Sequence, residues 1–296
     1  GGHPTAKAPI ILCHEILGEI IKINAEDNRG LAFGDKVVVQ PLISCGKCEA
    51  CRNGHFHVCR DLKLIGIHES GGFAEYVKAK IDKIVKVSDI PDDIAVLTEP
   101  LAVALHIVRR STLKVGQKAL VIGGGPIGIA VAIMAKLAGA SKVIISEMNE
   151  NRLQLIKDFG FDTIDASCNG VMERIEDISQ GEGFDAVYEV TGTKNGVEIA
   201  ISACKIRGTI VHVGFPGKPY EYNHLPIIFK ELSIVGSRVY TMDDFKDALG
   251  LIKLIVDNKV YDLRKYVSDI LPLGDISKAI DMMIKGNNLA KIVIKI

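Results

Sequence analysis

Short apolar runs, glycine-containing turns and amphipathic segments alternate along the middle of the chain. Residues 119–122 form an apolar run that leads into a glycine-rich turn, and small apolar residues with helical spacing then extend to residue 138. A second apolar run covers residues 142–146. Further strand or helix signals, separated by glycine or polar turns, follow at 184–190, 199–205 and 209–213. This alternation predicts an α/β architecture with a doubly wound parallel sheet covered by helices.

The two ends of the chain show a less regular pattern. Residues 10–12 are an apolar segment typical of a strand, and residues 101–110 have helical periodicity. Beyond Gly236 the spacing predicts helices near 243–256 and 276–285, followed by a final strand. The apolar runs are broken by glycine or end at lysine well before the roughly 20 residues that span a bilayer, so we expect no membrane-spanning helix.

Composition and charge exclude several classes of partner. The 296 residues include 48% hydrophobic side chains and 29 glycines, which is enough for one large or two ordinary domains with buried cores. Lys and Arg together number 36, as do Asp and Glu. No global positive field therefore attracts nucleic acid or an anionic membrane. The amino end shows no signal-peptide pattern, and we expect a cytoplasmic protein.

The glycine-rich turn is typical of a dinucleotide-binding site, because a strand precedes it and a helix follows it. Gly123 permits the tight turn, Gly125 lets the backbone approach a pyrophosphate, and Gly128 allows close packing of the helix. The turn also contains Pro126 and Ile127, at the helix terminus whose unpaired N–H groups bind the anion. The sequence therefore predicts a bound dinucleotide.

Two further residues are candidates for cofactor binding. Glu147 ends the second central strand, where a carboxylate accepts hydrogen bonds from both ribose hydroxyls of adenosine and repels an added 2′-phosphate. This position predicts NAD rather than NADP. The alternative for Glu147 is a solvated charge at a strand end. Arg152 follows in a predicted helix, where an arginine is also commonplace without any ligand.

Four of the seven cysteines are clustered within fifteen residues. They are Cys45, Cys48, Cys51 and Cys59. In a reducing compartment, four thiolates in a turn-rich loop suit one tetrahedral zinc ion, with sulfur about 2.3 Å from the metal. Because thiolates fill all four positions, the predicted site is structural rather than catalytic. The alternative is a pair of disulfides.

A second group of ionisable residues stands in places that are unusual for charge. Cys13-His14-Glu15 follows an apolar segment, and Glu99-Pro100 precedes a helical one. One imidazole and two carboxylates can bind a catalytic zinc ion that polarises an alcohol oxygen beside a nicotinamide, which predicts dehydrogenation. His14, Glu15 and Glu99 are therefore candidate catalytic and metal-binding residues. The alternative is a hydrogen-bonded core histidine with a surface acid.

Together these motifs resemble the medium-chain, zinc-dependent alcohol dehydrogenase family, particularly its polyol branch of sorbitol, butanediol and sugar-acid dehydrogenases. The resemblance spans nearly the whole chain. Cys13-His14-Glu15 with Gly18 resembles the family's Gly-His-Glu motif, and Gly34-Asp35-Lys36-Val37 resembles its Gly-Asp-Arg-Val turn. Residues 45–59 resemble its structural zinc loop. Two segments resemble the polyol branch in particular: Gly71-Gly72-Phe73-Ala74-Glu75-Tyr76 is similar to a strand typical of that branch, and Glu99-Pro100-Leu101-Ala102 is similar to its Glu-Pro-Leu motif.

The resemblance implies two domains with substrate in the cleft between them. A mainly β, GroES-like catalytic domain would comprise residues 1–101 and 238–296, around a central Rossmann NAD-binding domain at 102–237. The implied reaction is oxidation of a secondary alcohol of a polyol, diol or sugar acid, with hydride transfer to NAD. The resemblance and the apolar strand at 205–213 also suggest homodimers or homotetramers formed through the cofactor domains.

The resemblance also assigns roles to individual residues. It implies that His14 is a direct ligand of a catalytic zinc ion and that Glu15 is a ligand or lies close behind one. Glu99 would hold the metal-bound water or exchange with it. Arg238 resembles a position near the substrate in the polyol branch, and Val213-Gly214-Phe215 resembles the segment beside the nicotinamide.

The sequence departs from the family's pattern at its amino end. The family's first zinc ligand is a cysteine in a Cys-Gly-Ser/Thr-Asp motif, upstream of a Gly-Gly-x-Pro-like segment that here is residues 1–4. We therefore expect an N-terminally incomplete chain with an incomplete catalytic zinc site and impaired activity. Cys13 either supplies a replacement sulfur or is a small buried thiol; the second is favoured, because adjacent side chains in extended backbone diverge and His14 already points inward.

Other functions remain open on the sequence alone. A threonine dehydrogenase-like enzyme is one alternative, and a non-catalytic, NAD-binding remnant is another. The zinc-free quinone reductase branch is disfavoured, because that branch has neither the four-cysteine loop nor the His14-Glu15 pair.

Overall fold

The structure, a computed structural model, describes residues 7–286 and 288–296. It divides into two units, one made of the residues up to Ala102 together with Val239–Ile296, and the other of Val103–Arg238. These limits differ by one residue from the predicted domain boundaries. Residues 1–4, on which the prediction of an incomplete amino end depends, lie outside the described residues. Within those residues, no helix is both long enough and apolar enough to cross a membrane.

The amino-terminal part of the first unit is built from short strands and loops. Its strands are β1 (Ile16–Glu19), β2 (Lys36–Val39), β3 (Leu42–Ile43), β4 (Lys63–Leu64) and β5 (Ile84–Lys86). Its helices are α1 (Glu49–Arg52) and α2 (Asp92–Ala95), with 3₁₀ turns at Phe56–Val58 and Ile81–Lys83. Helix α3 (Thr98–Arg110) begins in this unit and continues into the second. Strand β2 lies between β1 and β5 in an antiparallel sheet, and β3 pairs with β4. Val37 and Val39 of β2 pack into two small apolar clusters, which hold this sheet in place.

The second unit contains the predicted parallel sheet. Its strands are β6 (Lys118–Ile122), β7 (Lys142–Glu147), β8 (Asp162–Asp165), β9 (Phe184–Glu189), β10 (Cys204–His212) and β11 (Ser233–Gly236). Its helices are α4 (Pro126–Leu137), α5 (Glu150–Asp158), α6 (Val171–Ser179), α7 (Lys194–Ala203) and α8 (Leu225–Phe229). The parallel strands have the order β11-β10-β9-β6-β7-β8, so the chain reverses direction across the sheet between β6 and β9. A doubly wound sheet binds ligands at the carboxyl edge of such a point.

The carboxyl-terminal part returns to the first unit. It comprises α9 (Met242–Asn258), a 3₁₀ turn at Leu263–Tyr266, β12 (Val267–Pro272), a second 3₁₀ turn at Leu273–Asp275, α10 (Ile276–Ile284) and β13 (Lys291–Lys295). Strands β12 and β13 pair in parallel. Helix α9 begins with a capping box in which Thr241 and Asp244 bond to each other's backbone N–H groups, which fixes its first turn.

Two of the predicted strands are wrong. Residues 10–12 and 71–76 lie outside the strands and are joined by irregular backbone bonds, such as the 2.8 Å bond from Gly71 N to Ile11 O. Cys13 has a positive φ of 82°, which interrupts the extended backbone that a regular ladder requires. A Cβ at Gly71 would lie only 2.1 Å from the Cys13 carbonyl oxygen, so glycine permits this close approach.

Candidate functional site

The four clustered cysteines occupy the loop between β3 and β4. One sulfur from each of Cys45, Cys48, Cys51 and Cys59 lies within 4.8 Å of the others. The Sγ atoms of Cys48 and Cys51 are 3.5 Å apart, well beyond a disulfide bond, and all four thiols are free, so the disulfide alternative is wrong. Four converging sulfurs without a cross-link are the donor set of a structural zinc site.

Backbone N–H groups in this loop point at the sulfurs. Cys45 N lies 3.2 Å from Cys59 Sγ, and Cys48 N lies 3.4 Å from Cys45 Sγ. N–H groups of Arg60 and Cys51 hold the pKa of the Cys48 thiol down at about 6, whereas desolvation raises the pKa of Cys51 to about 12. Donors aimed at the sulfurs of Cys45 and Cys48 favour the thiolate form that zinc requires at these two positions, whereas the buried Cys51 thiolate would need the charge of the metal itself.

His14, Glu15 and Glu99 form a second cluster in the first unit. One donor atom from each lies within 4.8 Å of the other two. His14 and Glu15 immediately precede β1, and Glu99 belongs to the first turn of α3. Glu99 is only 6% exposed, so the alternative of a surface acid does not hold for it. Burial, followed by the nearby charge of Glu15, raises the pKa of Glu99 to about 8.

This second cluster also fits a metal ion, but as a catalytic site rather than a structural one. One imidazole and two carboxylates are a catalytic rather than a structural donor set for zinc, because three protein ligands leave a position for substrate or water. Burying two neighbouring carboxylates is costly unless a cation balances them. A divalent ion bound by these three residues would supply that charge.

Two residues that the sequence did not single out contact these carboxylates. The Lys291 ammonium, in β13, forms an ion pair with Glu15. The Tyr240 hydroxyl, just before α9, donates a hydrogen bond of 2.9 Å to Glu99 Oε1. Both come from the carboxyl-terminal segment, so no local motif marks them. The available signal at Lys291 was a lysine placed directly before three apolar residues of a strand.

Cys13 does not belong to this cluster. Its Sγ donates to the Glu15 carbonyl oxygen at 3.3 Å and packs with Ile16, Val39 and Ile65. Desolvation raises the pKa of the Cys13 thiol to about 11, which disfavours the thiolate that a metal requires. The expectation of a packed thiol is thus correct, but its premise of extended backbone is wrong, because Cys13 has a positive φ.

The glycine turn of the second unit has the predicted geometry. Gly123 has a φ of 102°, a conformation that strongly favours glycine. A Cβ at Gly128 would lie 1.9 Å from the Gly123 carbonyl oxygen, so α4 packs directly on the turn. A Cβ at Gly125 would meet nothing closer than Arg152 Nη1 at 4.0 Å, so the backbone there is open to a ligand. Pro126 and Ile127 form the first turn of α4.

Glu147 lies beside this turn and is not solvated. It is 9% exposed, and its carboxylate accepts backbone hydrogen bonds from Gly124 at 2.8 Å, Met148 at 2.7 Å and Asn149 at 2.9 Å. These bonds fix the carboxylate at the carboxyl end of β7. The alternative of a free strand-end charge is therefore wrong.

The other predicted site residues of this unit follow β10 and β11. Val213 and Gly214 donate their N–H groups to the Glu189 carbonyl oxygen, so this segment lies at the carboxyl edge of the sheet. Phe215 follows with 89% of its surface exposed. Arg238 is also exposed and lies two residues beyond the end of β11.

Comparisons with known proteins identify the family. A family model described as an alcohol dehydrogenase GroES-like domain matches residues 1–89, and one described as a zinc-binding dehydrogenase matches residues 126–253. The chain is 36% identical to 2-dehydro-3-deoxy-L-galactonate 5-dehydrogenase of Pseudoalteromonas atlantica over 274 aligned residues. The aligned region covers 92% of this chain and 78% of that protein. It is 32% identical to L-threonine 3-dehydrogenase of Shewanella frigidimarina, over 96% of this chain and 82% of that protein.

The fold leads to the same family. The crystal structure of 2R,3R-butanediol dehydrogenase from Bacillus subtilis superposes with a TM-score of 0.87 at 31% identity, covering 98% of this chain and 81% of that one. The predicted fold class, a Rossmann-type sheet with a GroES-like domain, is thereby confirmed. The chain belongs to the medium-chain, zinc-dependent alcohol dehydrogenase family and is an oxidoreductase that acts on alcohols or polyols with a nicotinamide cofactor.

Proposed function

We propose that the chain oxidises a secondary alcohol of a polyol, diol or sugar acid and transfers the hydride to NAD. The observation that carries this proposal is the convergence of His14, Glu15 and Glu99 within 4.8 Å, in a chain that also has a dinucleotide-binding turn. The names of two relatives agree with it, since they specify a sugar acid and a diol, whereas the relative from Shewanella frigidimarina is named for L-threonine.

In this proposal His14, Glu15 and Glu99 bind a catalytic zinc ion. When bound, zinc supplies Lewis acidity that lowers the pKa of an alcohol and favours departure of hydride from its carbon. His14 contributes a neutral nitrogen donor, and Glu99 contributes a buried carboxylate. Lys291 partly neutralises Glu15, which limits the total negative charge that the three residues present.

The second unit would hold the cofactor. Gly123, Gly125 and Gly128 shape the pyrophosphate site, and the amino end of α4 attracts the negative charge of the pyrophosphate. Glu147 retains unused lone pairs after accepting its backbone bonds and would bind the adenosine ribose hydroxyls, which favours NAD. Additional cofactor contacts are assigned to Pro126, Ile127, Arg152, Val213, Gly214 and Phe215. Arg238 is assigned to the substrate.

The four-cysteine loop is assigned a structural zinc ion. Its sulfurs occupy all four tetrahedral positions, so no substrate reaches that metal. Cysteine thiolates remain available as metal ligands only in an environment that does not oxidise them to disulfides. We therefore assign the protein to a reducing compartment such as the cytoplasm.

A second copy of the chain is the proposed partner at β11. In the predicted assembly strand, 205–213, residues 209–212 of β10 are paired on both sides, by β9 and β11, so they offer no free edge to a second copy. Within the described residues, β11 is an edge strand of the sheet. Ile228, Phe229 and Ile234 nearby are 61%, 77% and 36% exposed, and pairing of two β11 edges would cover them. Monomers at all concentrations in sedimentation equilibrium would contradict this assembly.

The function is tested by NADH formation from sorbitol, 2,3-butanediol, a sugar acid and L-threonine. We expect turnover with a polyol, diol or sugar acid, loss after chelation, and recovery with zinc. His14→Ala is expected to abolish the recovery, whereas Cys168→Ser, at an exposed thiol, keeps it.

Each other outcome selects an alternative. Turnover of L-threonine alone would identify a threonine dehydrogenase-like enzyme, in keeping with the relative from Shewanella frigidimarina. NAD binding without turnover of any alcohol, at saturating zinc, would identify a non-catalytic remnant. Turnover that persists in zinc-loaded His14→Ala would overturn the proposed metal site.

A further inference from the structure

The buried carboxylate of Glu99 depends on a partner that lies 141 residues away. Glu99 is 6% exposed, and the Tyr240 hydroxyl donates to its Oε1 at 2.9 Å. The nearby cation, Lys291, pairs with Glu15 instead. A neutral donor thus serves one carboxylate of the cluster, and a cation serves the other.

Tyr240 is itself held firmly. It is fully buried, and its ring stacks on Phe245 with centroids 5.7 Å apart and planes inclined by 15°. Phe245 lies in the first turns of α9, whose start is fixed by the capping box of Thr241 and Asp244. The hydroxyl therefore occupies a defined point, because helix α9 and the ring stack determine where the side chain can lie.

We infer that Tyr240 is a positioning residue of the proposed catalytic metal site. Its O–H holds one oxygen of Glu99 and thereby sets the orientation in which the carboxylate faces His14 and Glu15. A neutral donor fixes this orientation without cancelling the charge that attracts a metal ion. This inference rests on the proposed function, since it requires that His14, Glu15 and Glu99 bind the ion.

The expected effect follows from the usual role of outer hydrogen bonds at metal sites. Loss of such a bond to a ligand typically lowers metal affinity or activity by about 10- to 100-fold. Tyr240→Phe removes only the hydroxyl and keeps the ring that stacks on Phe245. The matched control is Tyr188→Phe in the second unit, where a fully buried tyrosine shares a 2.8 Å hydrogen bond with Ser111 Oγ.

The test is a cobalt(II) titration of the full chain with its four-cysteine site already loaded with zinc. We expect Tyr240→Phe to bind the second ion about 10- to 100-fold more weakly and to show a changed visible spectrum. Tyr188→Phe should match the wild type in both, although each variant loses one buried hydrogen bond and melts at a lower temperature. The titration of His14→Ala, which lacks one proposed ligand, shows which part of the cobalt signal comes from the second site.

Separate results would overturn the inference and the function on which it rests. Equal cobalt affinity and an identical spectrum in Tyr240→Phe and the wild type would show that Tyr240 does not position Glu99, while the metal site would stand. An unchanged titration in His14→Ala would remove the metal site itself. If Tyr240→Phe does not fold, Phe245→Leu is titrated instead; it keeps the hydroxyl but loosens its support, and unchanged cobalt binding would again reject the inference.

Discussion

The ammonium group of Lys291 forms an ion pair with the carboxylate of Glu15, although 276 residues separate them along the chain. Their side chains are 21% and 24% exposed, so the pair is largely shielded from water. Lys291 also opposes the effects of burial and of Glu15 on the pKa of Glu99. Lys291 therefore supplies positive charge to the metal-free cluster.

Replacing Lys291 by Met should destabilise the metal-free protein and increase its response to zinc. Two close carboxylates then lack a cation, and we expect a loss of about 1–3 kcal/mol in the free energy of unfolding. A bound zinc ion supplies the missing charge, so zinc should raise the melting temperature more in Lys291→Met than in the wild type. Thermal unfolding after chelation, with and without added zinc, measures both effects.

The control for this prediction is another ion pair of the same unit. Lys36 and Asp92 approach to 2.5 Å, but their side chains are 52% and 60% exposed. Lys36→Met should change stability by less than about 1 kcal/mol, with an unaltered response to zinc. Equal zinc responses in Lys291→Met and the wild type would show that Lys291 does not balance the metal-binding carboxylates.

Two neighbouring glycines should separate folding from cofactor binding. Gly128→Ala places a methyl group 1.9 Å from the Gly123 carbonyl oxygen and should cost about 3 kcal/mol or more. Gly125 has a φ of −69° and open space, so Gly125→Ala should melt within about 2 °C of the wild type. Its methyl group would nevertheless meet the pyrophosphate, and NAD affinity should fall about tenfold or more, a loss of about 1.4 kcal/mol.

Calorimetric titration with NAD and thermal unfolding of both variants check this pair of predictions. Normal NAD affinity in a folded Gly125→Ala would place the pyrophosphate elsewhere. A wild-type melting temperature for Gly128→Ala would contradict the close packing of α4 on the turn.

Glu147 should determine the choice between the two nicotinamide cofactors. Glu147→Gln retains a carbonyl acceptor but removes the charge that repels a 2′-phosphate. We expect kcat/KM with NAD to fall about tenfold and use of NADP to rise, because charge-assisted bonds are stronger than neutral ones. Glu150→Gln, at the start of α5, is the control for a general change of charge. A higher kcat/KM with NADP than with NAD in the wild-type protein would refute this role for Glu147.

The four-cysteine loop should retain zinc after the second site has been emptied. Cys48→Ser removes one sulfur of the four, and we expect it to lose one tightly bound zinc ion per chain and to melt several degrees lower. Cys168→Ser removes a thiol that lies outside the cluster and should do neither. Atomic emission after extensive dialysis gives the zinc content. An unchanged zinc content in Cys48→Ser would disprove the structural site.

The features that could be predicted from the sequence are those encoded by neighbouring residues. The strand, glycine turn and helix around Gly123 follow from local spacing, and so does the cysteine loop. Lys291 and Tyr240 were not predicted, because they reach Glu15 and Glu99 through tertiary packing across most of the chain. The backbone at Cys13 was also missed, since a positive φ at a non-glycine residue has no signature in the pattern of apolar positions.

The most direct test of the catalytic site is anomalous diffraction at the zinc absorption edge, on crystals grown with zinc. We expect two peaks per chain, one among the sulfurs of Cys45, Cys48, Cys51 and Cys59 and one among the side chains of His14, Glu15 and Glu99. A peak at the cysteines alone, from a preparation that oxidises an alcohol, would contradict the claim that His14, Glu15 and Glu99 hold the metal ion of the reaction.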